Sequence, residues 1–136
     1  MSKAAYYKSK AKGLCGTFQT TERMKPTARC RRCWFRFKAG EHLGDTSQGL
    51  ELEQLLIRQD FKCAYTGELL ELGVNASIEH IQPGSRYPHL INNLGNIAWV
   101  CKEINYMKRN NTLLEFIDKC RIVLERFGYE VKKLDD

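Results

Sequence analysis

In the second half of the chain, segments whose apolar residues have helical spacing are separated by segments with the spacing of extended chain. Leu52, Leu55 and Leu56 recur as on one face of a helix, so residues 50–59 are predicted to form a short helix that ends before Phe61. Residues 75–82 predict a strand that stops at Pro83. The stretch 83–95 is rich in proline, glycine and asparagine and predicts a loop. After this loop the chain is predicted to begin extended and to become helical near residue 100.

The last helix has the clearest pattern. Thr112 and Glu115 have the spacing of a capping box, in which each side chain satisfies a free backbone amide at the start of a helix. Helical spacing then follows, and Gly128 is a plausible C-terminal cap. The apolar positions of this helix are Leu113, Phe116, Ile117, Cys120, Leu124 and Phe127. Residues 129–131 are predicted to add a short edge strand.

Two shorter segments complete the predicted order of elements. Residues 39–48 contain two glycines and several turn formers, which predicts a linker. Residues 61–70 place a Tyr-Thr-Gly turn between apolar residues, which predicts two short extended pieces. We therefore expect an N-terminal arm over residues 1–45 and a compact domain over residues 46–136, with the order helix, two-stranded ribbon, helix, helix.

Composition narrows the class of protein. Of the 136 residues, 43% are hydrophobic and 28% are charged, which is the balance of a soluble globular protein. No apolar run approaches the roughly 20 residues that span a bilayer, and the N-terminus lacks the apolar core of a secretory signal. We therefore expect a cytoplasmic protein without a membrane partner, in which six cysteines serve as thiols or metal ligands rather than disulfides.

Positive charge is concentrated at the N-terminus. Residues 1–38 contain eleven Lys or Arg residues and one acidic residue, whereas the other 98 contain eleven basic and fifteen acidic residues. Such a segment attracts a polyanion, and nucleic acid is the leading candidate because each phosphate contact releases counterions. Interleaved aromatic residues favour this interpretation over a solvated basic tail.

Residues 79–108 carry the candidate chemistry. Glu79 and His80 end the predicted strand, and Asn105 follows on a predicted helix that could fold back onto the strand. A neutral histidine can take a proton from water, while a carboxylate and an amide oxygen suit Mg²⁺. Lys108 lies one helical turn after Asn105 and could hold a phosphate oxygen. These are the parts that phosphodiester hydrolysis requires.

At these residues the chain resembles the HNH family of ββα-metal nucleases, particularly its small phage and homing-type members. The resemblance covers about half of the chain, and its ordered His, Asn, Asn and Lys with an interposed Cys make it fairly specific. The segments that carry it are Cys63-Ala64-Tyr65-Thr66-Gly67, Ser77-Ile78-Glu79-His80-Ile81, Asn96-Ile97-Ala98-Trp99-Val100-Cys101 and Asn105-Tyr106-Met107-Lys108.

The resemblance implies an α+β fold, namely a ββα-metal nuclease core with flanking helices and a basic, zinc-ribbon-like N-terminal arm. It also implies that His80 is the general base, that Glu79 and Asn105 bind one Mg²⁺ or Mn²⁺, and that Asn96 braces the loop. Lys108 matches a basic position after the helix ligand. The implied activity is hydrolysis of double-stranded DNA that leaves 5′-phosphate and 3′-hydroxyl ends.

Two departures from the family pattern change what is expected. The acid before the histidine is Glu79 where aspartate is more usual, so the carboxylate reaches further. Many members also bind a structural zinc with two CxxC pairs, whereas Cys63 and Cys101 each stand alone here. Two thiolates do not complete a tetrahedral zinc site. We therefore expect Cys63 and Cys101 to be neighbours in a small apolar core, with Trp99 and Met107 also in the core.

The N-terminal arm offers a second possible metal site. Cys15, Cys30 and Cys33 with His42 would form a Cys₃His zinc set, and the alternative is a set of free thiols. The residues predicted to contact DNA phosphates are Arg29, Arg31, Arg32 and Arg36 around the Cys pair, and Arg86 in the loop after the strand.

Two other functions remain open on the sequence alone. A DNA-binding module could keep this fold without turnover, which Glu79 and the missing cysteines make possible. An RNA-directed nuclease is the other alternative, because a basic arm does not distinguish the two polyanions. The oligomeric state is not predicted.

Overall fold

A computed structural model describes residues 2–11 and 31–135 of the chain, without the side chains of residues 9–11 and 31–33. The described elements, in chain order, are helix α1 (Lys3–Ala11), helix α2 (Arg31–Leu43), helix α3 (Gly49–Arg58), strand β1 (Ala76–His80), strand β2 (Ile97–Cys101), helix α4 (Lys102–Lys108) and helix α5 (Leu113–Arg126). Short 3₁₀ turns over Thr46–Gln48, Pro88–Leu90 and Leu94–Asn96 lie in the connections. The fold is mixed α+β, as predicted.

The two strands form an antiparallel pair in which Glu79 is opposite Ala98 and His80 is opposite Ile97. All five residues of β2 are buried. The backbone of Trp99 in β2 is satisfied by the side chain of Gln59, whose amide donates to the Trp99 carbonyl at 2.8 Å and accepts from its N–H at 3.0 Å. The Gln59 side chain thus makes the same two hydrogen bonds to β2 that the backbone of a neighbouring strand would make.

Helices α1 and α2 share one hydrophobic core with the rest of the described chain. Phe35, Ala39 and Leu43 repeat every four residues along one face of α2 and are all buried. Tyr6 of α1 is also fully buried, and its hydroxyl donates to the Glu53 carboxylate at 2.8 Å. The predicted linker over residues 39–48 was therefore wrong in its first half, because this apolar face continues α2 to Leu43.

Helix α3 begins where it crosses α2 closely. A Cβ atom on Gly49 would lie 2.7 Å from the backbone nitrogen of Arg36, which is closer than two such atoms approach. Only glycine allows α3 to start at this position without moving α2.

Several other sequence predictions are decided by the fold. The helix over 50–59, the strand near 75–82 and the last helix are confirmed. Trp99 is buried, and Cys63 and Cys101 are buried neighbours, since the Cys101 N–H lies 3.4 Å from the Cys63 sulfur. Met107 is 55% exposed, so its assignment to the core was wrong. No strand forms at residues 129–131, so that prediction was wrong too.

The capping box at the start of α5 is confirmed. The Thr112 hydroxyl accepts from the Glu115 N–H at 3.1 Å, and the Glu115 carboxylate accepts from the Thr112 N–H at 3.3 Å. We expect Thr112→Ala to lower the free energy of unfolding by about 1 kcal/mol, because one helix-end amide loses its partner. Urea denaturation followed by circular dichroism measures this, with Thr112→Ser as the control that keeps the hydroxyl. Equal losses in both variants would contradict the capping role.

No helix within residues 2–11 and 31–135 combines the length and apolar character that a membrane crossing requires.

Candidate active site

Strand β1 lies against helix α4. The end of the strand, with Glu79 and His80, is therefore close to the helix that carries Asn105 and Lys108, as the sequence predicted. The Asn105 side-chain amide donates to the Ser77 hydroxyl at 3.1 Å and to the Ile78 carbonyl at 3.2 Å. One helical turn later, the Lys108 ammonium donates to the His80 carbonyl at 3.2 Å. Two side chains from one face of α4 therefore hold the end of β1 in place.

The imidazole of His80, at the end of β1, is held by two backbone carbonyls. Its Nε2 atom lies 2.9 Å from the Ile91 oxygen and 3.1 Å from the His42 oxygen. Since a carbonyl oxygen only accepts hydrogen bonds, Nε2 carries the hydrogen in this arrangement. The neutral ring then has its lone pair on Nδ1, which is the atom that can accept a proton.

Asn96 holds the chain immediately after His80. Its side-chain oxygen accepts from the Gln82 N–H at 2.8 Å, and its nitrogen donates to the Gln82 carbonyl at 2.9 Å and the Leu90 carbonyl at 3.4 Å. The Asn96 carbonyl also accepts from the Ile81 N–H at 2.9 Å. Asn96 is buried, so these bonds are shielded from water and close the loop between the two strands.

Removal of this amide should destabilise the protein. We expect Asn96→Ala to cost about 2–3 kcal/mol of unfolding free energy, because the backbone groups of Gln82 lose their partner inside the protein. Chemical denaturation provides the measurement. Asn110→Ala, at an exposed turn position, is the matched control and should cost less than about 0.5 kcal/mol. A similar small effect for both variants would show that Asn96 does not brace the loop.

Glu79 and Lys108 form a buried ion pair. The ammonium lies 3.2 Å from the carboxylate, and the side chains are 0% and 4% exposed for Lys108 and Glu79 respectively. Burial raises the pKa of Glu79 above its usual value, and the charge of Lys108 opposes that rise. The pKa of the neighbouring Tyr65 is also raised, first by burial and then by the Glu79 charge. The three side chains form one closed polar cluster.

This placement differs from what the sequence predicted for two side chains. Lys108 has no exposed surface in this structure and pairs with Glu79, whereas the sequence predicted that it holds a phosphate oxygen. The Glu79 carboxylate faces an ammonium where the sequence predicted a divalent cation. Mg²⁺ keeps several of its waters in proteins, whereas the Glu79 side chain is only 4% exposed and already faces an ammonium.

The bonds from Asn105 to β1 use only its amide nitrogen. They leave its oxygen, the atom that a hard cation would use, outside these two bonds. Within residues 2–11 and 31–135, no group of three His, Cys, Asp or Glu side chains is placed so that it could hold a metal ion. Because the Lys108 ammonium lies against the buried Glu79 carboxylate, the residues as placed do not fit a hydrated Mg²⁺ or Mn²⁺ at Glu79.

The other predicted site residues are placed as follows. Arg86 is on the surface, where it pairs with Glu115 at 2.6 Å, and Arg36 is exposed on α2. His42 lies beside His80, with ring centres 6.4 Å apart. Cys15, Cys30 and Arg29 lie outside the described residues, as do the side chains of Arg31, Arg32 and Cys33. The described residues therefore do not test the proposed N-terminal zinc site.

A cleft beside the strand contains residues that the sequence did not single out. It has a volume of about 360 Å³, and its lining includes Trp34, Lys38, His42, Lys102 and Asn105. Trp34, Lys38 and His42 follow one another every four residues along one face of α2. That spacing was visible in the sequence, but the predicted linker at residue 39 interrupted it. The cleft gives the strand–helix junction two lysines that a phosphate could approach.

His42 contributes an imidazole to the lining of this cleft. Burial lowers the pKa of His42, the Glu41 charge opposes the effect, and Lys38 and His80 lower the pKa further. His42 is therefore mainly neutral near pH 7. Its carbonyl oxygen, rather than its ring, is the atom that holds His80.

Comparison of the chain with models of known protein families and with the sequences of curated proteins gives no match.

Proposed function

We propose that the chain is a DNA endonuclease that hydrolyses a phosphodiester bond with His80 as the general base. The arrangement of the His80 ring is the observation that carries the proposal. Two backbone carbonyls bind its Nε2–H, so the lone pair stays on Nδ1 and the ring resists rotation. A neutral imidazole held in one tautomer is suited to remove a proton from water.

In the proposed step, Nδ1 of His80 takes a proton from water while the water oxygen attacks phosphorus. The bond from phosphorus to the 3′ oxygen breaks, and that oxygen leaves with a proton from solvent. The products carry 5′-phosphate and 3′-hydroxyl ends, as the resemblance to HNH nucleases implies.

Phosphate binding is assigned to the cleft and the basic arm. Lys38 and Lys102 line the cleft, although Glu41 lies 3.0 Å from the Lys38 ammonium and offsets part of its charge. The eleven basic residues of positions 1–38 supply the long-range attraction to DNA. These contacts would position the backbone without reading sequence.

A requirement for Mg²⁺ or Mn²⁺ stays part of the proposal through the resemblance alone. The Glu79–Lys108 pair sets a condition on it, because an ammonium and a divalent cation do not occupy one carboxylate together. A cation could use Glu79 only after Lys108 has moved away.

The activity test uses the full chain and supercoiled plasmid, with EDTA, Mg²⁺ or Mn²⁺. The proposal expects nicked or linear DNA with at least one of these cations, and the same product from His89→Ala. His89 is an exposed histidine in the loop, so it is a matched control for His80. Labelled RNA of the same sequence, tested in parallel, would identify an RNA-directed enzyme if it alone were cut.

A second candidate is a DNA-binding module without turnover. The buried Glu79–Lys108 pair favours it, because the pair closes the carboxylate that a catalytic cation would use. This candidate expects retarded DNA in a gel-shift experiment, with binding that weakens steeply as salt rises. Binding without any cleavage in EDTA, Mg²⁺ and Mn²⁺ alike would select it over the nuclease.

A further inference from the structure

Trp34 forms a fixed aromatic wall of the cleft beside strand β1. Its indole ring is nearly parallel to that of Trp99, with ring centres 6.1 Å apart and planes at 17°, and it meets Phe35 edge-on at 5.1 Å. Trp99 is itself buried, and its indole nitrogen donates to the Leu52 carbonyl at 2.9 Å. Trp34 is only half-buried and lines the cleft. A flat ring held in this way is suited to stack against another flat ring.

The polar groups around the cleft are those that bind a nucleotide. Lys38 and Lys102 supply positive charge for a phosphate. The carboxylate of Glu41 and the amide oxygen of Asn105 are hydrogen-bond acceptors, which suit the amino group of a base. The bonds from Asn105 to β1 use its nitrogen, so that oxygen lies outside them. The cleft therefore combines an aromatic wall with cations and acceptors.

The size of the cleft limits its occupant to about one nucleotide. Its volume of about 360 Å³ is near the lower end of the range for small-ligand sites in proteins. In a double helix each base is paired and stacked between its neighbours, so it presents no face to Trp34. A base can enter the cleft only when it is unpaired, and extruding one from an intact duplex is costly.

The cleft adjoins the proposed general base. His42 lines the cleft, and its ring centre lies 6.4 Å from that of His80. The His42 carbonyl oxygen also accepts from Nε2 of His80 at 3.1 Å. A nucleotide in the cleft would therefore lie close to the bond that His80 would hydrolyse.

We propose that the cleft binds one unpaired nucleotide, with its base stacked on Trp34 and its phosphate at Lys38 and Lys102. This assignment rests on the proposed action on DNA. It narrows the substrate class to DNA that contains unpaired nucleotides, such as single strands and gaps, instead of continuous duplex. Since every base has a π face, the site distinguishes the structure of the DNA more than its sequence.

The first test measures binding in EDTA by fluorescence anisotropy, with a single strand of about 15 nucleotides and a blunt duplex of the same sequence at one salt concentration. We expect Trp34→Leu to weaken single-strand binding about tenfold and duplex binding less than about twofold, because only the single strand loses a stacking partner. Trp34→Phe keeps an aromatic ring and should retain most of the affinity. Phe37→Leu is the matched control, since Phe37 is an exposed aromatic residue of α2 outside the cleft lining, and it should change neither affinity.

A photochemical cross-link gives a readout that needs no variant. A single strand that carries 5-iodocytosine should cross-link to Trp34 on irradiation, and peptide mass spectrometry identifies the site. Cross-links confined to residues outside the cleft would overturn the assignment. Equal losses for single strand and duplex in Trp34→Leu would also overturn it, and so would a loss in Phe37→Leu as large as that in Trp34→Leu.

These results distinguish the nucleotide site from the nuclease activity. A chain that binds single strands through Trp34 but cuts no DNA would overturn the nuclease and leave the cleft assignment in place. A chain that cuts plasmid, and whose Trp34→Leu variant binds and cuts every DNA as the parent does, would overturn the cleft assignment alone.

Discussion

Replacing Lys108 with methionine should lower the free energy of unfolding by about 3–5 kcal/mol, the usual cost of leaving a buried carboxylate without its partner. Methionine fills a similar volume but has no charge. The Glu79 carboxylate, buried beside Tyr65, would then have no charged partner. The His80 carbonyl would also lose the hydrogen bond from Lys108. Urea denaturation of the two proteins at pH 7 measures the loss.

The double variant Glu79→Gln with Lys108→Met is the control for this prediction. It removes both charges, so we expect it to recover most of the lost stability. A cost below about 1 kcal/mol for Lys108→Met alone would show that the ion pair contributes little in solution.

Lys108→Met also tests whether Lys108 must leave Glu79 before a cation can bind there. If the ammonium and a cation compete for Glu79, Mg²⁺ or Mn²⁺ should raise the melting temperature of Lys108→Met more than that of the parent. Equal shifts in both proteins would remove Glu79 from any cation site.

Replacing His80 with alanine should reduce the rate of DNA cleavage by about 10²–10⁴-fold, which is the usual contribution of a positioned general base. In the proposed mechanism, Nδ1 of His80 is the atom that accepts the proton of the attacking water. DNA affinity should change little, because the basic arm and the cleft lysines are intact. Cleavage rates at saturating protein, together with a gel-shift titration, separate these two effects.

An asparagine at position 80 sharpens the test. Its amide can still donate a hydrogen bond toward a carbonyl, as Nε2 of His80 does, but it does not accept a proton near neutral pH. His80→Asn should therefore lose as much activity as His80→Ala while it perturbs stability less. A rate within a few-fold of the parent for either variant would rule out His80 as the base.

Local signals in the sequence predicted much of the fold. The capping box at Thr112 and the leucine spacing after residue 50 identified their helices because both depend on neighbouring residues alone. The strand before Pro83 and the contact between Cys63 and Cys101 were also predictable. Where the sequence failed, at residues 39–43, turn-forming residues masked a helix face that is buried in the shared hydrophobic core.

The sequence indicated which residues lie near one another in the candidate site, but not which of their side chains contact each other. The spacing of His80, Asn96, Asn105 and Lys108 brought one strand, one loop and one helix together. It did not reveal that Lys108 faces Glu79 in the interior, since spacing along a helix does not show whether a lysine meets solvent or a buried acid. The His42 carbonyl was also invisible, because a backbone atom has no signature in the sequence.

Because His80 is bonded to the His42 carbonyl, helix α2 separates the His80 imidazole from the arginine-rich segment by a fixed length. That carbonyl lies in the last turn of α2, and the arginine-rich segment leads into its first turn. Deleting one residue within α2 would turn its end by about 100° and carry the carbonyl away from the imidazole. The length of α2 therefore sets the distance between the arginine-rich segment, which would bind DNA, and the His80 imidazole, which would act on it.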